Sequence, residues 1–206
     1  MLAGNNLLPV WQLLKPHFVI LPVLVAVWFL TAALLKRTPG YTKNGKGNDW
    51  CVIASETLTL LLYVRFGWTL NFLKGVLLTL IFLYASFCDI RTRELRDGIS
   101  VMVFLLGFVG RDLAALARPL TAALTAFAFL FYCAVLLHFR IGGADIKFIP
   151  AAVFVLGGER GLVGLLLGLI LSVAGTLIRN KITKTRDDSL PMIPYLSAGF
   201  LSAFFI

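Results

Sequence analysis

The sequence predicts an all-α fold, a polytopic membrane helix bundle of about eight transmembrane helices forming a single integral membrane domain over residues 1–206. Three observations predict it. Of the 206 residues, 59% are hydrophobic, whereas soluble domains run nearer ~45–50%, and the mean hydropathy is +0.91. The apolar residues form long continuous runs along the whole chain, where a membrane β-barrel would alternate. The Lys and Arg residues collect in and beside the gaps between those runs.

A helix crossing the hydrocarbon core takes ~20 residues, within a range of about 17–25. Candidate spans lie at roughly 16–35, 50–68, 72–89, 97–110, 119–139, 145–158, 161–178 and 191–206. The first lacks a small-residue cleavage site followed by a soluble chain, so it reads as a permanent span and not a removable signal. The second carries Glu56 about one and a half turns in, where an unpaired charge is costly, so the carboxyl should be protonated or hydrogen-bonded. The third ends in the run Leu77–Cys88 and then Asp89. The fourth and sixth are short, and are either tilted or extended by loop residues. Gly157, Gly161, Gly164, Gly168 and Gly175 give the seventh a small-residue stripe for close packing, expected against the sixth.

Alternate gaps share a side of the membrane. One set of gaps holds thirteen Lys and Arg and the other six. Positive residues stay inside, so the N-terminus is predicted outside, and the loops at 36–49, 90–97, 140–147 and 179–190 face the cytoplasm. The chain should therefore lie in the cytoplasmic membrane with the lipid bilayer as its surroundings. Topology explains the net charge of +9, and no nucleic-acid partner is expected. Cys51, Cys88 and Cys133 include no Cys-x-x-Cys pair, and neither His17 nor His138 has a second ligand at helical spacing, so no metal and no cofactor are expected.

Against this apolar background two acids are conspicuous. Asp89 closes the third span, and Asp145 sits within Ile141-Gly142-Gly143-Ala144-Asp145-Ile146-Lys147, at the start of the sixth. The charge count places both at the cytoplasmic margin of the bilayer. An acid at such a depth is a functional candidate by default. Two carboxyl groups that converge cannot both ionise cheaply, so they share a proton and titrate as a pair. An ionised carboxylate can then take a proton from water while its protonated partner polarises a scissile carbonyl, which suits peptide hydrolysis. Gly142 and Gly143 would let backbone approach closely; alternatively they form only a turn, with Asp145 as the helix N-cap. Lys147 is either a partner for Asp145 or substrate, or a snorkelling anchor. Asp97 is a candidate cap for the fourth span.

The stretch Ala85-Ser86-Phe87-Cys88-Asp89-Ile90-Arg91-Thr92-Arg93-Glu94-Leu95-Arg96-Asp97 resembles the first aspartate motif of type IV prepilin peptidases, the GxGD-type membrane aspartic proteases. Gly142-Gly143-Ala144-Asp145-Ile146-Lys147 resembles their second motif, Gly-x-Gly-Asp-x-Lys. Leu190-Pro191-Met192-Ile193-Pro194-Tyr195-Leu196 is similar to the signature of their last span, and Trp50–Leu62, with Glu56, to their second span. Ala144 replaces the second glycine of the motif. Arg96 stands where a proline is usual, which should leave the start of the next span less sharply defined. The cytoplasmic domain with two Cys-x-x-Cys pairs that accompanies N-methylation in full-length enzymes is replaced by the short loop at 36–49.

The resemblance implies an aspartic endopeptidase that removes the basic leader from prepilin-like membrane proteins on the cytoplasmic side, in type IV pilus assembly or protein secretion. Asp89 and Asp145 would be its catalytic pair, with Gly142, Gly143, Ala144, Lys147 and Glu56 binding substrate or supporting the pair, and no methyltransferase activity. Two alternatives stay open: a GxGD protease acting on other membrane segments, and a proton-coupled transporter that uses the same acids as a relay. The transporter lacks the expected internal repeat.

Overall fold

A computed structural model of the chain describes residues 19–38, 46–136, 142–183 and 191–206. His17, His138 and parts of the loops at 36–49, 140–147 and 179–190 lie outside the described residues. Among the described residues the fold is all-helical. The elements are α1 (Ile20–Lys36), α2 (Lys46–Phe66), α3 (Leu70–Thr92), α4 (Asp97–Leu106), a short 3₁₀ turn (Leu113–Leu116), α5 (Ala117–Val135), α6 (Gly143–Leu156), α7 (Gly158–Thr183) and α8 (Ile193–Phe205).

Each helix coincides with one of the apolar runs, but not every helix is long enough to establish a membrane span by itself. Among the described residues three helical stretches are long and apolar enough to cross a membrane: Leu70–Thr92, Leu113–Val135 and Gly158–Ile182. The 14 residues of α6 extend only about 21 Å at the helical rise, short of the ~30 Å hydrocarbon core. α4 is shorter still, with 10 residues. α2 holds Asp49, Glu56 and Arg65 along its length and is not among the three.

α6 is the buried axis of the molecule. Phe148 through Leu156 are all buried, enclosed by α4, α5, α7 and α8. α8 packs against α3, α6 and α7. The closest packing in the bundle is α7 on α8. A Cβ added to Gly199 would overlap the backbone of Gly164 and Gly168, so these glycines let the two helices touch main chain to main chain. The expectation that the glycine stripe faces α6 is therefore corrected: Gly161 meets Val153 of α6, but Gly164, Gly168 and Gly175 face Phe200, Leu196 and Tyr195 of the α8 segment.

Three fully buried phenylalanines tie the helices together. Phe82 of α3 lies 5.2 Å from Phe148 of α6 and 6.2 Å from Phe200 of α8, ring centre to ring centre. α1 joins through a buried hydrogen bond from Thr31 Oγ1 to Ser55 Oγ of α2, at 3.1 Å.

Candidate active site

Asp89 lies in the last turn of α3. The helix ends four residues later on Arg93, in the left-handed region at φ 53°, whose N–H returns to the Asp89 carbonyl. The chain then extends through Glu94 and Leu95 and re-enters a helix at Asp97. Arg96 caps that helix with φ −67° and ψ 131°, angles a proline would also adopt. The start of α4 is thus sharply defined without the proline, contrary to expectation. Asp97 is the first residue of α4, not its cap.

Asp145 lies in the first turn of α6, whose N-cap is Gly142, so the N-cap alternative for Asp145 does not hold. Its N–H donates to the Gly142 carbonyl at 3.0 Å. The carboxyl folds back over Gly142, where an added Cβ would stand 2.9 Å from Asp145 Oδ2. Gly142 adopts φ −60°, so its glycine serves space for the carboxyl and not a left-handed backbone. Gly143 is exposed with open space beside its Cα, and Ala144 is half-buried.

The structure brings these two acids together. Asp89 and Asp145 are 9% and 8% exposed, and the charge of Asp89 acts directly on Asp145. A third segment completes the arrangement: the backbone N–H of Ile193, the first residue of α8, donates to Asp89 Oδ2 at 3.0 Å. Asp89 thereby satisfies one of the amides that every helix start leaves unpaired. Each carboxyl sits at a helix N-terminus, Asp89 at that of α8 and Asp145 in that of α6. Both helix dipoles point their positive ends at the pair and offset the repulsion between the two charges. Asp145 also lines a cavity of about 440 Å³, with Ile149, Met192, Leu130 and Leu165 among its walls.

The remaining expected site residues are placed as follows. Lys147 projects from another face of α6, its Nζ 2.8 Å from Asp97 Oδ1. Glu56 stands near the middle of α2, because that helix begins at Lys46 and not at residue 50; one of its oxygens is buried without a hydrogen-bond partner. Neither is among the groups that act on Asp89 or Asp145. Arg93, by contrast, does act on Asp89. The Ile193 amide escaped the sequence reading because a backbone donor has no side-chain signature. The nearest signal was Pro191 and Pro194, which fix where α8 can begin.

Large apolar side chains stand exposed over α1, α5 and α7, including Phe29, Phe129, Phe131, Leu166 and Ile170. Such a surface belongs against lipid. The fold and the site together define a helical membrane protein built around a pair of buried aspartates. Residues 76–178 match the model of the type IV leader peptidase family, and the chain belongs to that family. It is a leader-peptidase-like protease. The matched region contains both aspartates. No curated protein and no solved structure matches the chain.

Proposed function

We propose that this protein is a membrane aspartic endopeptidase that removes the basic leader from type IV prepilin or pseudopilin precursors at the cytoplasmic face of the membrane. Asp89 and Asp145 form its catalytic pair. The observation that carries the reading is their convergence: two buried acids from motifs far apart in sequence, coupled electrostatically at the N-termini of two helices. In this reading one carboxylate draws a proton from water while its protonated partner polarises the scissile carbonyl, and the roles reverse as the amine leaves.

The chain acts as a single peptidase domain in the cytoplasmic membrane, with its N-terminus outside. The shorter helices complete the crossing by tilting or in company with flanking segments. N-methylation is not part of its activity, because the loop at 36–49 carries no cysteine pairs. Gly142, Gly143 and Ala144 leave the first turn of α6 open to an extended substrate strand. Lys147, through its pair with Asp97, and Glu56 support the site only weakly and from a distance.

Co-expression with a prepilin tests the proposal. The parent removes the leader, seen as a mobility shift on a gel, and Asp89→Asn or Asp145→Asn slows removal by about 10²–10⁴-fold, the usual worth of positioned acid–base catalysis. Both variants should still insert in the membrane. Processing at the parent rate by both would refute the pair. A proton-coupled carrier would instead move its cargo and leave the prepilin whole.

A further inference from the structure

Beside Asp89, on the opposite side of α8 from the α7 crossing, a cleft of about 480 Å³ runs between α2, α3 and α8. α8 lines it with one complete face: Pro194, Ser197, Ala198, Leu201, Ser202 and Phe205, the spacing of a helix stripe. Leucines of α2 and α3 form the other wall, with Ser86 near the Asp89 end. Two of the three serines have spent their hydroxyls on their own helices, Ser86 on Phe82 O at 2.7 Å and Ser202 on Ala198 O at 2.8 Å. Ser197 differs. It is 3% exposed, and its Oγ has no hydrogen-bond partner. A buried hydroxyl left unpaired in apolar surroundings is costly, which points to a partner that arrives with the missing group.

We infer that this cleft receives the apolar helix of the substrate, the segment that follows the cleaved bond, and that Ser197 accepts one of the unpaired amides of its first turn. The inference rests on the peptidase reading above and assigns that site its membrane subsite. The first four N–H groups of a helix have no partner within it, and within lipid they must find one. Ser197 stands one turn along α8 from Ile193, about 6 Å at the helical rise, and the Ile193 amide holds Asp89. A helix in the cleft would thus begin where the chain leaves the aspartates. Ala198 and Ser202, small and exposed, leave room for its close approach.

The test compares two substrates: a full-length precursor with its apolar helix, in detergent or liposomes, and a short water-soluble peptide spanning the cleaved bond. Ala198→Phe and Ser202→Leu fill the cleft at exposed positions. Each should raise KM for the precursor by about tenfold, the factor that corresponds to ~1.4 kcal/mol, and leave kcat/KM for the peptide unchanged. Ser197→Ala should raise KM for the precursor alone; a purely structural serine would leave KM unmoved. Ile170→Phe, on the exposed face of α7 away from both cavities, serves as the comparison and should leave both substrates unaffected. Parent KM for the precursor in all three cleft variants would overturn the inference, as expected of a cleft filled by a lipid chain. So would equal losses on both substrates, or a rise in KM with Ile170→Phe alone. Failure of the peptidase reading shows separately, as a parent enzyme that cuts neither substrate, and takes this subsite with it.

Discussion

The two ends of α6 are built on opposite plans. At its C-terminal end Arg111 donates to the carbonyls of Phe154 at 2.6 Å and Val155 at 2.8 Å. Phe104 stacks on Phe154 at 4.6 Å, and Phe108 meets the same ring edge-on at 5.1 Å. The helix then stops at Gly157, in the left-handed half of backbone space at φ 91°. Here the carbonyls that a helix end leaves open are answered by a cation, which also suits the helix dipole. At the N-terminal end no side chain caps the first turn; instead there are two glycines, an open face and Asp145 beside a second acid. One end is anchored and the other holds like charges together. The anchored end and the aromatic packing supply the stability against which the charged end can be held in place.

Three substitutions probe that contrast, in decreasing order of expected effect. Phe82→Ala removes the ring shared by α3, α6 and α8, midway between the ends. It should cost about 3–5 kcal/mol, the usual range for a buried phenylalanine, and lower both the unfolding midpoint in detergent and the rate per folded molecule. Unchanged rate and midpoint would mean that the phenylalanine cluster does not set the spacing of the acids.

The helices themselves were largely legible in advance, because continuous apolar runs report burial in lipid or core whatever their neighbours. Boundaries were legible only where a residue forces them. The run at 97–110 loses its last turn because the chain leaves the helix at Gly107 and passes through Gly110 at φ 72°. α2 starts within a charged stretch, where apolar periodicity is silent, and this moved Glu56 from near a helix end to mid-helix. Asp89 and Asp145 stood out because acids are costly in such surroundings. Which helix meets which did not stand out: the glycines of α7 announce close packing but not that their main partner is α8.

Arg111→Met tests the anchored end alone. Losing two bonds from a charged donor should cost about 1.5–3 kcal/mol, read as a lower midpoint, while the folded fraction cleaves at the parent rate. A lost rate with an unchanged midpoint would reverse the assignment of the two ends. The smallest effect is expected at the charged end but on another face of α6. Lys147 and Asp97 are 52% and 71% exposed, and pairs so open to solvent contribute about 0.2–1 kcal/mol. Lys147→Gln should leave the midpoint nearly unmoved and the cleavage rate close to that of the parent. A loss as deep as that of the aspartate variants would bring Lys147 into the catalytic centre.

The central claim, that Asp89 and Asp145 work as one unit, is tested most directly by combining their asparagine variants and measuring prepilin cleavage. Groups that act together lose their contribution once, so the double variant should be no slower than the slower single one. Losses that multiply, or a single variant that keeps the parent rate, would contradict the claim.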